Sequence, residues 1–431
     1  MRAMLIYLII CCFKALVVGQ LAGVTGSLST VNTLYTSARE ESLRSDLFGS
    51  YQKNSRPAPI SDIRCNIKLL SIKDLNIREQ TMSSVAYFTF IWNDTRLNWS
   101  SSASYSDIEA IYSTESVLFI PPIVVENSVS NLGLISDKTL PIKIAQNGEI
   151  TWSPGNIYDT SCDIDATFYP FDVQTCSIIL TTRGYTSNQL SLSLNDVPVI
   201  LTSYQENGEW TYIRSNASAS VVLHGSEVYS QVNFSFTFER RTPFHLLSTI
   251  LPLFFLVSMT CFVFKIPVDA GEKLGYCLTV LLAFAVYLTL VSDNIPTTST
   301  STSYLSVFLN LMLAIGVSAV FLIILVIHTH FKSEDEEISN FTENISIFVA
   351  KMVCLRHYTC CRSTDNSSVG VVSLQEKGGN FNDIHVDPIR NRLKWQDVAK
   401  ILDALFFRVY LWLIIIMIII YAVIMATCDS N

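Results

Sequence analysis

Two cysteines, Cys162 and Cys176, enclose thirteen residues whose centre is the apolar run Phe168–Phe171 followed by Asp172. A disulfide between them would require an oxidising compartment, which indicates an extracellular segment. Closing a loop of this size stabilises a domain by about 3 kcal/mol. Ordinary hairpin turns are polar, so the apolar tip indicates contact with an apolar surface. A plain structural disulfide in a β-domain is the alternative interpretation.

A second chemical pattern is a stripe of seven residues at alternating spacings of three and four, which places them on one face of a helix. The stripe has a carboxylate at each end, small or hydroxyl residues in its first half and branched apolar residues in its middle. Its members are Glu272, Gly275, Thr279, Leu282, Val286, Thr289 and Asp293. Around a shared axis, acidic rings attract cations and an apolar ring can close a pore by dewetting. Ordinary helix packing is the alternative.

Four apolar stretches are each long enough to cross a bilayer as a helix, and the second of them carries the stripe. They run over about 244–264, 274–295, 304–328 and 407–427. The chain is 49% hydrophobic and only 15% charged, which agrees with a membrane protein rather than one large soluble core.

Residues 1 to about 20 have the basic start and apolar run of a signal peptide, and an uncleaved anchor is the alternative. A cleaved signal places the N-terminus outside the cell, and four spans return the C-terminus outside. Four basic residues near the predicted inner ends of the spans agree with this orientation. They are Lys265, Lys273, Lys332 and Arg408. Arg240 and Arg241, on the outer side, depart from the rule, and we interpret them as functional.

Between about residue 60 and residue 242, short alternating runs are separated by turn signals, which is typical of a β-sandwich. In Gln231–Phe238, Val232, Phe234, Phe236 and Phe238 share one side. Cys65 is expected to be a buried free thiol. Four glycosylation sequons lie in this region, at Asn93, Asn98, Asn216 and Asn233. The last of these is the weakest, because it falls within a predicted strand.

Residues 329 to about 385 are polar and irregular, which predicts a flexible cytoplasmic segment. Palmitoylation of Cys360 and Cys361 is one alternative use of this segment. Five apolar positions then predict an amphipathic helix that runs into the fourth span. They are Leu393, Val398, Ile401, Leu402 and Leu405.

These elements predict a mixed, multi-domain fold. An extracellular β-sandwich precedes a four-helix transmembrane bundle, and a mostly disordered intracellular loop contains one amphipathic helix. The expected boundaries are 1–22 for the signal peptide, 23–242 for the sandwich, 243–328 for three membrane helices, 329–406 for the cytoplasmic loop, and 407–431 for the fourth helix with an extracellular C-terminus.

The chain resembles the Cys-loop receptors, the pentameric ligand-gated ion channels, and among them the nicotinic acetylcholine receptors. The resemblance is carried by the Cys162–Cys176 segment, Pro267–Lys273, Ile295-Pro296, Pro252 and Arg241-Thr242-Pro243. It covers nearly all of the mature chain except the cytoplasmic loop. It implies a ligand-binding sandwich and a disulfide in the named loop. It also implies a multi-pass subunit of a synaptic plasma membrane, in contact with membrane lipid. Such subunits form homo- or hetero-pentamers. The assembled channel is expected to bind a small-molecule agonist, of unknown identity, and to conduct permeant cations.

The resemblance also implies the selectivity of the pore. Anion-selective members carry a Pro-Ala insertion before a basic residue at the inner mouth, whereas this chain has Gly271-Glu272-Lys273 without an insertion. Cation selectivity is therefore expected.

For gating, the resemblance implies that the loop tip meets the outer loop between spans two and three, near Asn294–Thr297 and including Pro296. The tip consists of Tyr169, Pro170, Phe171 and Asp172. Arg241 is expected to be the buried arginine of the family, paired with Asp172 or Asp74, because an unpaired buried charge is costly. An acidic residue common just beyond Asp74 is replaced here by Ile77 and Arg78.

The agonist site departs from the nicotinic pattern, in which an aromatic cage binds a quaternary ammonium. Tyr87, Trp152 and Tyr229 match contributing positions, and Tyr185 lies close by. The central tryptophan position falls on Arg183 and the first cage tyrosine on Glu126, while adjacent cysteines are replaced by His224-Gly225-Ser226. A guanidinium repels an ammonium, and we expect Glu126 to neutralise it.

Three interpretations of the agonist site stay open. The chain is an accessory subunit that needs a partner, it binds another ligand whose carboxylate faces Arg183, or it responds to something other than a small transmitter. Alternatively, Arg183 is a surface arginine at the end of a strand, and the alignment from Cys176 places it wrongly at the tryptophan position.

Among other function classes, a non-conducting adhesion or scaffold protein is the main rival. No nucleophile elbow, P-loop or cysteine–histidine spacing indicates an enzyme, and His328 and His330 alone do not indicate a metal. The formal net charge of −8 gives no indication of nucleic-acid binding. Neither a catalytic residue nor a cofactor is expected.

Overall fold

The computed structural model describes residues 36–130, 135, 140–293, 302–333, 338–352 and 394–428. The predicted signal peptide and much of the predicted cytoplasmic loop lie outside these residues. The described residues form two compact units, of which the smaller comprises residues 36–57, 93–119 and 141–150.

The described residues form eleven strands, which follow one another along the chain in the predicted extracellular part. They are β1 Ser61–Asn76, β2 Thr81–Asn93, β3 Ala110–Ser113, β4 Ile123–Val125, β5 Ile142–Ala145, β6 Glu149–Trp152, β7 Gly155–Ser161, β8 Val173–Thr182, β9 Leu190–Ile200, β10 Trp210–His224 and β11 Glu227–Arg240.

Helices precede and follow the strands. They are α1 Ser37–Phe48, α2 Pro243–Lys265, α3 Lys273–Ser292, α4 Tyr304–His330, α5 Asn340–Met352 and α6 Trp395–Cys428.

The smaller unit is organised around a buried carboxylate. Asp94 is fully buried and accepts hydrogen bonds from Arg96, with Nη2 at 2.7 Å, and from the Tyr51 hydroxyl at 2.9 Å. These bonds compensate the cost of removing a charge from water. Strands β3 and β5 pair antiparallel in the same unit and bury Ile111 opposite Ile144.

The larger unit contains a β-sandwich. In one sheet β1 pairs antiparallel with β2 and parallel with β9, and β7 pairs with β2. The other sheet has the order β10-β11-β8-β4. The sheets meet through aromatic side chains, since the rings of Phe88 and Phe234 lie 6.0 Å apart and both are fully buried. Val232, Phe236 and Phe238 are also buried, which confirms the predicted alternation of β11.

Two predictions about single residues of the sandwich concern Cys65 and the sequons. Cys65 is a buried free thiol, as expected, and burial raises its pKa to about 12. Among the four sequon asparagines, Asn93, Asn98 and Asn216 are exposed, whereas Asn233 is half-buried within β11. The structure therefore gives Asn233 the poorest access to a glycosylating enzyme.

Four helices, α2, α3, α4 and α6, are long and apolar enough to cross a membrane, with mean hydropathy between 2.2 and 2.8. They coincide with the four predicted spans. The predicted amphipathic segment is continuous with the fourth span in α6 and buries Val398 and Ile401, whereas Leu393 lies outside the described residues.

Helix α5 corrects the prediction that residues 329 to about 385 are irregular throughout. Its apolar residues Phe341, Ile345, Phe348 and Met352 follow the spacing of a helix face. The polar composition of the surrounding segment concealed this short periodic run.

A close approach of a side chain to a helix backbone and a buried ion pair are among the contacts that connect the helices. Gly316 of α4 allows this approach, since a β-carbon there would lie 3.2 Å from Leu281 of α3. Lys273 at the start of α3 is almost fully buried and pairs with Asp403 of α6. Its charge is therefore held inside the subunit, on the buried side of the helix that carries the stripe.

We predict that Phe234→Ala destabilises the sandwich by about 3–5 kcal/mol, because it leaves a cavity between the sheets. Thermal unfolding of the purified full chain measures the effect. Ile213→Ala, at an exposed position of β10, is the control and is expected to change stability by less than about 0.5 kcal/mol. Equal effects of the two substitutions would contradict this assignment of the core.

Candidate functional site

The centre of the candidate site is an arginine at the end of β11. The Arg240 side chain is 2% exposed, and its Nε and Nη2 atoms donate to Asp172 at 2.7 and 3.2 Å. Its Nη1 atom pairs with Glu209. Asp172 is the last residue of the tip of the Cys162–Cys176 segment, whose two cysteines are disulfide-bonded. The arginine therefore fastens this loop to the last strand before the membrane helices.

This geometry corrects the prediction that Arg241 is the buried arginine. Arg241 is 39% exposed and pairs with Glu206, with Nη2 and Oε2 2.6 Å apart. The reason lies in the alternation of β11, because residue 240 shares the buried side of Phe236 and Phe238. Among the described residues, Asp74 is not a partner of either arginine, and it is exposed on β1.

Aromatic and imidazole groups surround the buried arginine. Its Cζ atom lies 4.2 Å from the ring centre of Trp210 and 5.2 Å from that of Tyr169. The Tyr169 hydroxyl and His245 Nδ1 are 3.2 Å apart, and His245 Nε2 is 3.5 Å from Glu209. The hydrogen bond from His245, followed by the charge of Arg240, lowers the pKa of Glu209, while burial raises the pKa of Tyr169. Glu209 and His245 were not predicted from the sequence.

The loop tip touches the beginnings of two membrane helices. Besides the contact between Tyr169 and His245 of α2, the backbone N–H of Tyr304 in α4 donates to Thr167 O at 3.0 Å. The rings of Phe168 and Tyr304 are 5.4 Å apart. Pro170 is buried and Phe171 is half-buried. The predicted partner segment Asn294–Thr297, with Pro296, lies outside the described residues.

A second connection reaches the outer end of α3. Arg78, in the turn between β1 and β2, lies 3.5 Å from Asp293 through its Nη1 atom. Both side chains are largely exposed. Arg78, which stands where the resemblance led us to expect an acidic residue, therefore faces the outer carboxylate of the stripe.

The seven residues of the stripe are all exposed in the isolated subunit. Leu282 and Val286, its apolar centre, are 65% and 53% exposed. The opposite face of α3 is buried against the subunit, through Lys273, Cys277, Phe284 and Val291. One face of α3 is thus left without a partner inside the subunit.

The predicted agonist region contains a polar cluster in place of an aromatic cage. Arg183 Nη1 lies 4.0 Å from Glu126 Oε2, which confirms the expected ion pair. His224 Nε2 lies 3.7 Å from the other oxygen of Glu126. The Tyr229 hydroxyl donates to Glu227 at 2.6 Å, and this bond raises the pKa of Tyr229.

The remaining candidates differ in their access to solvent. Tyr87 is exposed on β2 and lies over Gly155, where a β-carbon would come within 2.2 Å of its ring. Tyr185 is half-buried beside Arg183. Trp152 is only 3% exposed and packs on Phe90 with ring centres 5.2 Å apart, so it is a core residue and is not positioned to contact a ligand.

Comparison with protein families agrees with this architecture. Residues 40–242 match the neurotransmitter-gated ion-channel ligand binding domain, and residues 249–382 match the neurotransmitter-gated ion-channel transmembrane region. The chain belongs to the neurotransmitter-gated ion-channel family, whose members are ligand-gated ion channels rather than enzymes.

Similar individual proteins are subunits of acetylcholine receptors. The chain is 26% identical over 336 residues to the acetylcholine receptor subunit beta of Xenopus laevis, which covers 74% of this chain and 68% of the relative. It is 28% identical to the neuronal acetylcholine receptor subunit alpha-2 of Mus musculus, over 68% of this chain and 58% of the relative. It is 26% identical to the neuronal acetylcholine receptor subunit alpha-5 of Homo sapiens, over 92% of this chain and 88% of the relative.

Membership also defines the setting of the molecule. Receptor subunits of this kind are multi-pass proteins of the plasma membrane with an extracellular N-terminal domain. They assemble as homo- or hetero-pentamers and bind small-molecule agonists and permeant cations.

We predict that Arg240→Gln destabilises the full chain by about 3–5 kcal/mol, because it leaves the buried Asp172 carboxylate without its charge partner. Arg241→Gln removes only an exposed ion pair and is expected to cost less than about 1 kcal/mol. Thermal unfolding of the detergent-solubilised chain compares the two. A larger loss in Arg241→Gln would contradict the assignment.

Proposed function

We propose that the chain is a subunit of a pentameric, cation-selective channel whose pore is lined by α3 and which opens when a ligand binds at a subunit interface. The observation that carries this proposal is the exposed stripe of α3, with Glu272 and Asp293 at its ends. Family membership supports the general architecture, and the stripe supports the particular pore.

The burial pattern of α3 supports a pore-facing role for the stripe. Lipid would accept exposed Leu282 and Val286, but it would not favour the carboxylates of Glu272 and Asp293 on the same face. The surroundings of Gly275 are open on the stripe side of α3. A β-carbon at this position would meet only Glu272 Oε2, at 3.8 Å. Packing within the subunit thus gives no reason for this helical glycine, although glycine weakens a helix by about 1 kcal/mol relative to alanine.

The charges beside the stripe support cation selectivity. Lys273 directly follows Glu272, but it is buried and paired with Asp403, so its charge is directed away from the exposed face. Glu272 is therefore the dominant charge at the inner end of the stripe. At the outer end Arg78 partly offsets Asp293, so we assign the larger share of selectivity to Glu272.

The extracellular groups support ligand binding between neighbouring subunits. Glu126 directly follows β4, Arg183 directly follows β8 and Tyr229 lies in β11, all strands of one sheet, whereas Tyr87 is exposed on β2 of the other sheet. A cleft containing both kinds of group is completed when Tyr87 comes from an adjacent subunit. The guanidinium of Arg183, which is 68% exposed, disfavours a quaternary ammonium in this cleft.

An accessory subunit without its own agonist site is the second candidate. It is favoured by the replacement of cage positions by Arg183 and Glu126. Expression of this chain alone, followed by a screen of cationic, anionic and neutral small molecules with current as the readout, separates the two candidates. Ligand-evoked current from the single subunit supports the first candidate, and current only with a co-expressed subunit supports the second.

We predict that Glu272→Gln lowers the preference for sodium over chloride more than Asp293→Asn does, because no exposed cation offsets Glu272 among the residues that the structure describes. Reversal potentials in a sodium chloride gradient measure both variants. Unchanged cation preference in the double variant would contradict the assignment of the acidic rings.

We predict that Leu282→Thr raises the open probability without ligand, because a hydroxyl ring at the centre of the stripe is easier to wet. Leu311→Thr, at an exposed position of α4 rather than of α3, is the matched control and is expected to leave spontaneous opening unchanged. Single-channel recording compares them. An equal increase in the two variants would show that the effect does not come from a pore-facing position.

A further inference from the structure

The hairpin of β10 and β11 ends in a tight turn that carries a histidine. His224 is the last residue of β10 and stands opposite Glu227, the first residue of β11. Gly225 between them has a φ of 65°, a conformation that glycine adopts without strain. Val221 and Leu223 near the tip are both exposed, at 64% and 66%, so the tip extends away from the core of the sandwich.

His224 connects this tip to a fixed part of the sandwich. Its Nε2 atom lies 3.7 Å from Glu126 Oε1. Glu126 follows β4 and is anchored by its backbone N–H, which donates to Ile179 O of β8 at 2.8 Å. A distance of 3.7 Å is too long for a hydrogen bond of a neutral imidazole but falls within the range of an ion pair. The contact therefore depends on the charge of the histidine.

Charged and titratable groups from three strands or strand ends lie near His224. They are Glu126 after β4, Arg183 after β8, and Glu227 and Tyr229 of β11. Two carboxylates and one guanidinium leave one negative charge when His224 is neutral, and the cluster becomes neutral when His224 carries a proton. Histidine changes its charge between about pH 5 and 8, which makes this balance sensitive to physiological acidity.

We propose that His224 is a proton-operated latch of the β10–β11 hairpin. Its protonated ring holds the hairpin tip against Glu126, and loss of the proton releases the tip. The hairpin borders the cleft in which the proposed function places the ligand. The effect of the latch on ligand exchange therefore rests on that proposed function. Acidification keeps the cleft covered and slows ligand exchange, whereas a rise in pH opens it.

Hydrogen–deuterium exchange of the full chain in lipid nanodiscs tests the latch without a ligand. Exchange of hairpin residues 221–230 is measured at pH 5.5 and 8.0 and corrected for the intrinsic pH dependence of amide exchange. The expected result is about two- to fivefold slower opening of the tip at the lower pH, which is the size of a partly exposed ion pair. His224→Gln and Glu126→Gln are expected to remove this difference.

Two further variants make the result specific. His224→Arg keeps a permanent positive charge and is expected to protect the tip at both pH values. His328→Gln, at an exposed position near the C-terminal end of α4, is the control and is expected to keep the wild-type difference. Equal protection of the wild type at both pH values, or an unchanged difference in His224→Gln, would overturn the proposal.

The same preparation separates the latch from the proposed channel function. Reversal potentials of the reconstituted chain report cation conduction independently of hairpin exchange. A pH-dependent hairpin in a chain that does not select cations supports the latch and contradicts the channel proposal. A pH-independent hairpin in a cation-selective chain supports the channel proposal and overturns the latch.

Discussion

The buried pair of Arg240 and Asp172 is the interaction on which the rest of the site depends. Removing a guanidinium and a carboxylate from water is expensive, and good geometry with further hydrogen bonds is needed to compensate the cost. Glu209 and the rings of Trp210 and Tyr169 supply these additional contacts. Because β11 leads directly into α2, the pair fixes the disulfide-bonded loop at the point where the chain enters the membrane helices.

From this fixed point, contacts extend to three helices. Tyr169 touches His245 of α2, Thr167 and Phe168 touch Tyr304 of α4, and Arg78 approaches Asp293 of α3. A displacement of the sandwich therefore acts on the beginnings of α2 and α4 and on the end of α3 together. In the channel that we propose, this arrangement is the physical route from an extracellular ligand to the exposed stripe of α3.

Much of the fold could be predicted because apolar patterns report burial directly. The four membrane helices, the alternation of β11 and the stripe of α3 all follow from spacing and length. The same alternation contained the information that Arg240 is buried, since it continues the even-numbered series after Phe238. The prediction of Arg241 was wrong because it followed the family resemblance instead of this periodicity.

Partners distant in sequence could not be predicted in this way. Glu209, His245 and Asp403 find their partners only after the chain has folded, and local pattern does not encode such pairs. The burial of Trp152 could not be predicted either. The family resemblance identified an aromatic residue at this position, but it did not show whether the ring faces solvent. The replacement of the aromatic cage was readable from the sequence, whereas the contact between His224 and Glu126 required the structure.

The most direct test of the proposed channel is the reversal potential of single-channel currents from the full chain alone, opened by Leu282→Thr and recorded in a bilayer under a sodium chloride gradient. We expect a reversal potential close to the sodium equilibrium potential, because Glu272 dominates the exposed charge at the inner end of α3. A reversal potential close to that of chloride would contradict a cation-selective pore lined by α3.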